Sequence, residues 1–427
     1  MFSRLRGDFP ILDARVGESP LTYLDSGATS QKPECVIDTF TEFFTQRNAA
    51  VHRGAHSLAV MATDSFEAGR AAVAGLVGGE ANQVVWTKNA TEALNIVALG
   101  MDRASRGFGG QAAERFALGA GDSIVVTEME HHANLVPWQQ LAQATGAQLR
   151  WIPVTDAGEL DLSRLDEIVD ETTKVLAFTH VSNVLGTINP VDTLVARARE
   201  VGTFVVLDAC QSVPHMPVDL VDLDVDFAAF SAHKALGPTG LGVLWGRAEL
   251  LDALPPVLTG GSMITTVTMD SAEFMPAPQR FEAGTQPVAE VAAFATAIGY
   301  LQEVGLDEVF EHERELGRLL VDGIREIPGI RILGEAEDRI GTVAFEVEGV
   351  HAHDVGQYLD SQGVAVRVGH HCAQPLHRRF GVTASTRAST YLYNNADDVD
   401  RFLTALAEVR PFFGLTEAGE TPGRQAS

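Results

Sequence analysis

The sequence predicts an α/β protein in which a large, mostly parallel sheet is covered by helices on both faces and is followed by a smaller α+β domain. Three observations predict it. Short, apolar, β-branched runs recur between residues 84 and 245, with helical patterns between most of them, as in strands buried on both faces. Most of these runs stop at a polar cluster, and in parallel sheets ligands bind beyond the carboxyl ends of the strands. After Trp245 the regularity breaks in a Pro/Gly-rich span, and two long helical segments lead to further strands.

A chain of 427 residues can bury more than one core. The expected division is a large domain at 20–287, a small domain made of 1–19 with 288–415, and a disordered polar tail at 416–427. A net charge of −26 argues against nucleic acid or an anionic membrane as partner. The opening MFSRLRGDFP lacks the apolar core of a signal peptide, and the most apolar window, Ala292 to Leu301, is too short to span a bilayer. Three cysteines, Cys35, Cys210 and Cys372, make no disulfide framework, so a reducing, cytoplasmic location is expected.

In chain order, Leu21 to Asp25 reads as a strand, Pro33 to Gln46 as a helix and 61–77 as an amphipathic helix, with a polar loop carrying His52, Arg53 and His56 between the two helices. Strand Val84 to Trp86 precedes an Asn89-Ala-Thr-Glu92 helix start, whose free amides suit a phosphate. Residues 102–120 are a Gly/Ala-rich excursion of undefined form. Strands then end at His131, near Asn183, at Asp208 with Gln211, and at Ser231-Ala-His-Lys234. Helices Val191 to Val201, Val288 to Val304 and Leu306 to Ile327 separate strands that include Ile330 to Leu333, Ile340 to Val347 and Val364 to Val368.

Lysine is scarce: only four of the 31 basic residues are Lys. One of them, Lys234, closes a strand, and a primary amine can form a Schiff base where a guanidinium does not readily do so. Around it stand a carboxylate (Asp208), a ring able to stack (His131) and phosphate donors (Thr91, Gln211, Ser231, His233). Pyridoxal phosphate needs such a set: an amine for its aldehyde, an acid for its ring nitrogen, a phosphate cup and a flat neighbour.

Seven motifs, NATEALN (89–95), MEHHANLVPW (129–138), HVSNVLG (180–186), DACQS (208–212), FSAHKALGPTG (230–240), RFEAGTQ (280–286) and RVGHHCAQPL (367–376), resemble those of the Suf-type (group II) cysteine desulfurases. The resemblance runs from about Phe9 to Phe413. It implies a fold-type I pyridoxal-phosphate transferase of the aspartate aminotransferase kind, forming a homodimer with the cofactor on the large domain and the reactive cysteine on the small one. By that pattern Lys234 holds the aldehyde, His131 stacks, Asp208 pairs with the ring nitrogen, Gln211 reaches the ring hydroxyl, and Thr91, Ser231 and His233 hold the phosphate with Thr285 from the other subunit. Asn183 and Arg387, the latter in STRAST at 385–390, match groups for the substrate carboxylate, while Ala28, His52, Arg53 and Arg367 line the substrate pocket.

The implied reaction converts L-cysteine to L-alanine, the Lys234 amine taking the α-proton and Cys372 taking sulfur as an enzyme persulfide for iron–sulfur cluster assembly. His353, in HAHD at 351–354, resembles a surface histidine that meets a zinc-containing sulfur-acceptor scaffold protein; no resident metal is expected. Three departures stand out: Cys210 where Gly or Ala is usual, Gly27 where Ala is common, and the longer link at 102–120. The rival readings are selenocysteine lyase, cysteine sulfinate desulfinase and, remotely, a non-catalytic metal or iron–sulfur scaffold using Cys372, His370 and His371.

Overall fold

The computed structural model describes residues 2–415, so the tail expected at 416–427 lies outside the described residues. Nine helices of eight residues or more are α1 Glu34–Glu42, α2 Ser57–Leu76, α3 Ala90–Ser105, α4 Val136–Thr145, α5 Val191–Val201, α6 Val288–Val304, α7 Leu306–Arg325, α8 Ala352–Ser361 and α9 Ala396–Ala407 among the described residues. The large sheet comprises β1 Val84–Thr87, β2 Ser123–Thr127, β3 Gln148–Ile152, β4 Thr173–Thr179, β5 Phe204–Asp208, β6 Phe227–Ser231 and β7 Gly242–Gly246. Its order is β1-β7-β6-β5-β4-β2-β3. Only β7 is reversed, antiparallel to both neighbours. The carboxyl ends of β1, β2, β4, β5 and β6 therefore share one edge.

Alternation explains why this sheet is rigid there. In β5 and β6, Val205, Leu207, Ala228 and Phe230 enter one core with Phe66 of α2 and Phe294 of α6, and Val206, Phe227 and Ala229 enter the other with Leu94 of α3 and Trp138 of α4. Each large side chain so buried contributes about 1.5–3 kcal/mol. Helix α6 buries nine residues around its circumference, as a helix packed on several sides must.

The small sheet, β8 Ile330–Ile332, β9 Thr342–Val347, β10 Arg367–Gly369 and β11 Ser385–Ser389, is antiparallel with order β8-β9-β11-β10. Residues from α7, α8 and α9 pack on it. Two segments bear on the division of the chain. Thr22–Tyr23 pairs with Val364–Ala365, and Leu24 is buried in the small-sheet core, whereas α6 lies in the large-sheet core.

Several elements were not legible as such. Residues 102–120 become the end of α3 and a 3-10 turn at Gln111–Phe116 that buries Phe116. A hairpin of Ile264–Val267 and Ala272–Phe274, for which no strand was expected, follows the Pro/Gly-rich span. No described helix is long and apolar enough to cross a membrane.

Candidate active site

The carboxyl edge of the large sheet and the loop before Cys372 enclose a cavity of 220 Å³. On the sheet side, β5 ends at Asp208, which is buried, has no Lys or Arg partner among the described residues and has one oxygen accepting the Cys210 N–H at 3.0 Å. Gln211 donates to Gly27 O at 2.8 Å, while its Oε1 is buried without a partner among the described residues. A single 3-10 turn, Ala232–Lys234, carries His233 and half-buried Lys234 off the end of β6. Beside it, Asn89 caps α3 by accepting from Glu92 N at 2.9 Å, and the Ala90 N–H donates to Ser231 Oγ at 2.9 Å.

His131 follows β2 and its Nδ1 accepts the Ala133 N–H at 3.0 Å, so in the neutral ring the hydrogen is on Nε2. Burial, helped by the nearby Lys234 amine, pushes this ring down to about 4. His233 is likewise lowered to about 4 by burial and Lys234. Beneath His131, Glu130 is fully enclosed; burial pushes it up to about 8 although Thr127 Oγ1, Asn134 Nδ2 and Thr179 N all donate to it. That network fixes the chain on either side of His131 and ties β2 to β4.

The opposite wall is the loop His370–Gln374, and contacts from the large domain hold it. His371 and Cys372 both have left-handed backbone, with φ of 47° and 56°. Asn183 Nδ2 donates to His371 O at 2.7 Å, His132 N donates to Cys372 O at 2.6 Å, and Gln374 N donates to His132 Nε2 at 3.1 Å. Such backbone costs about 1–3 kcal/mol per residue and persists where neighbours fix it. Arg387 of β11 is buried, donating to Asn183 O at 2.7 Å and Asp25 Oδ1 at 3.1 Å. A Cβ at Gly27 would stand 3.1 Å from the Arg387 guanidinium, so this glycine gives that side chain room.

Of the sequence-predicted residues, Lys234, Cys372, His131, Asp208, Gln211, Thr91, Ser231, His233, Asn183, Arg387, Arg367 and Ala28 all line this cavity. Three lie off it. Thr285 is exposed, Arg53 is exposed, and His52 is bonded to Glu67 at 2.8 Å. His353 is exposed in the first turn of α8 and does not line the cavity. Cys210 also lines the cavity, where burial and Asp208 raise its thiol well above the usual range. Sequence reading missed His132 as a clasp and missed the pair Ser385 and His377 behind the cysteine loop; STRAST carried a motif signal, His377 none.

The residues present fit pyridoxal phosphate. The cavity offers a free amine, a buried carboxylate lacking a cationic partner, an orphaned amide oxygen and a helix start with adjacent hydroxyls, in one enclosure. A family profile described as aminotransferase class-V matches residues 22–402. The chain is 55% identical over 96% of its length to a probable cysteine desulfurase 2 of Mycobacterium leprae, covering 97% of that protein. It is 50% identical, at 96% and 97% coverage, to a probable cysteine desulfurase of Streptomyces coelicolor. Its structure resembles the crystal structure of the Escherichia coli cysteine desulfurase CsdA with a TM-score of 0.86 at 36% identity, covering 96% of this chain and 99% of that one. With the fold, the cavity and these likenesses in agreement, this chain belongs to the class-V aminotransferases and, within them, to the pyridoxal-phosphate-dependent cysteine desulfurases.

Proposed function

We propose that this chain is a cysteine desulfurase of the Suf type, working in the cytoplasm as a homodimer and passing sulfur from Cys372 to a zinc-containing acceptor protein for iron–sulfur cluster assembly. The observation that carries the reading is one enclosure lined by both Lys234 and Cys372. Pyridoxal phosphate, when bound, supplies the electron sink that makes the α-proton of cysteine removable. Lys234 would hold its aldehyde, Asp208 its ring nitrogen, Gln211 its ring hydroxyl, and Thr91, Ser231 and His233 its phosphate.

The chain's own groups do the rest. Neutral His131 presents a flat ring with an N–H donor, and Lys234, once its amine is free, is the base for the α-proton. Arg387, Arg367 and Asn183 hold the substrate carboxylate, with Ala28 beside them in the pocket. Cys372, as thiolate, takes sulfur and becomes a persulfide, and alanine leaves.

Exposed Thr285, away from its own cavity, and exposed apolar Leu99 and Val136, in a groove of 630 Å³ that shares Thr91 and His131 with the site, support a second copy covering this face and lending Thr285. Exposed His353 beside a groove of 610 Å³ containing His351 and Ala352 supports docking of the acceptor there. The test is to add L-cysteine without reductant, quantify alanine and locate the added sulfur. Sulfur on Cys372 is expected; sulfur on Cys210, or no alanine, overturns the reading. His353→Ala is expected to remove acceptor stimulation without changing basal alanine formation.

A further inference from the structure

Two arginines of the cavity wall stand side by side on one sheet. In the register of β10 on β11, Arg367 is directly opposite Arg387, and residues so paired in an antiparallel ladder present their side chains on one face. Both line the cavity. Like charges placed opposite one another repel, and enclosure adds to the cost, since the Arg387 side chain is only 2% exposed.

Asp25 supplies the counter-charge from behind the wall. Its Oδ1 accepts from Arg387 Nη2 at 3.1 Å, and its Oδ2 stands 3.8 Å from Arg367 Nη1. Neither arginine pairs with any other carboxylate among the described residues. Asp25 is fastened to the same sheet, since it bridges Ser389 of β11, Ser389 N donates to Leu24 O at 2.8 Å and Ser26 N donates to Ser389 O at 3.3 Å. It is not part of the cavity lining, so a ligand meets the arginines and feels the carboxylate through them. On the other side of the guanidinium, Arg387 Nη1 donates to Asn183 O at 2.7 Å, while Nε is buried without a partner among the described residues. Protein groups thus fix the guanidinium and leave a donor unspent.

We propose that Asp25 is a positioning residue that holds Arg387 and Arg367 as one carboxylate clamp and cancels one of their two charges, so that the site selects a ligand with a single anionic group. This role deepens the desulfurase reading and rests on it, because it takes the two arginines as the holders of the substrate carboxylate. Two guanidinium charges and one carboxylate leave a single positive charge at this wall. An amino acid whose only anion is its α-carboxylate, such as cysteine, matches that charge. One with a second acidic group, such as cysteine sulfinate, brings a negative charge that the wall does not balance.

The test compares propionate, with one charge, and malonate, with two, as ligands of the full-length holoenzyme in calorimetric titrations. Burial raises the Asp25 carboxyl while Arg387 and then Arg367 oppose it, so the titrations are made at about pH 8, above the carboxylate range. Asp25→Asn removes one negative charge and is expected to improve the affinity for malonate relative to propionate by roughly tenfold, because only malonate has a second charge to be attracted. Asp25→Glu keeps the charge and is expected to keep the unmodified ratio, whatever happens to the two constants separately. A purely structural role would move both constants alike. Should Asp25→Asn fail to fold with its arginines unbalanced, the same tenfold is expected between Arg367→Gln and the double variant Arg367→Gln with Asp25→Asn, in which that repulsion is gone. A ratio that does not change on loss of the carboxylate, or that changes equally in Asp25→Glu, overturns the role given to Asp25. Alanine formation from L-cysteine by the unmodified protein separately decides the desulfurase reading, so failure of one is distinguishable from failure of the other.

Discussion

Lys234 and Cys372 face one cavity from walls that are held in different ways. Lys234 stands one turn beyond a strand whose every residue is buried, between neighbours in register on both sides. Cys372 stands on a left-handed bend whose three backbone clasps come from Asn183 and His132, residues of the opposite domain. The first wall is fixed by the sheet itself, the second by contacts across the domain boundary. A sulfur-carrying group has to reach a substrate and then an acceptor, and a wall held by a few polar clasps can do both where a sheet edge cannot.

The largest effect should fall on the sheet wall, as lost chemistry without lost structure. Lys234→Ala is expected to lower alanine formation by roughly 10²–10⁴-fold or more and to abolish the borohydride-trapped cofactor adduct, while the thermal midpoint of the cofactor-free chain hardly moves. A collapse of stability in that variant would show that the sheet does not hold its own edge. The converse substitution is Glu282→Gln. Glu282 is buried, pairs in bidentate fashion with buried Arg70 at 2.7 and 3.0 Å, and accepts from Trp86 N at 2.8 Å, anchoring the approach to Thr285 on β1. Breaking such a pair costs about 3–5 kcal/mol, measured as unfolding free energy.

Acid should act on both walls. His131, His180 and His233 on the sheet side are lowered from 6.5 to about 4, and His371 on the other to about 2. Burial is the first cause in each. Below pH 6.5 the unfolded chain binds protons that the folded one refuses, so stability falls as pH drops, by up to about 1.4 kcal/mol per pH unit for each ring. Glu130, raised from 4.5 to about 8, works the other way between those values, since there the folded chain binds the proton. Burial lowers His132, His312 and His377 as well and raises Asp25 and Glu313. Seven rings stand against three carboxyls, so the net slope is positive, and denaturant titration of the cofactor-free chain between pH 4.5 and 6.5 reads it. A flat profile would mean these rings are not enclosed as described.

The two walls also differ in how much of them could be read beforehand. Strand ends at His131, Asp208 and Lys234 were legible because apolar β-branched runs stop abruptly in polar residues, and that pattern is local. Strand β11 was not, since Ser-Thr-Arg-Ala-Ser reads as surface yet all five residues are buried. Its polar side chains are satisfied at a distance: Ser385 by two histidines, Arg387 by Asn183 O and Asp25, Ser389 by Gly27 N at 2.8 Å. The clasp by His132 and the line from His371 to His377 escape notice for the same reason, because their partners lie on other elements. The resemblance supplied roles for single residues there, but not what holds them.

The clasps themselves are open to a smaller perturbation. Asn183→Ala leaves the buried carbonyl of His371 without its donor, at a cost of about 1–3 kcal/mol. Hydrogen exchange should quicken over residues 369–375 and stay slow in β5 and β6. Equal quickening in both would join the two walls into one cooperative unit.

The smallest effect isolates the bend from its clasps. At φ 56° any side chain at position 372 is strained by about 1–2 kcal/mol, whereas glycine is not. Comparing Cys372→Gly with Cys372→Ala removes the thiol from both, so only backbone freedom differs. Glycine regains the strain but also loosens the unfolded chain by about 0.4–1 kcal/mol, leaving a net advantage of about 0.5–1 kcal/mol for Cys372→Gly in unfolding free energy. If Cys372→Ala is instead the more stable, the left-handed bend is not imposed on the cysteine by the opposite domain, and the thiol faces the cavity for some reason local to its own loop.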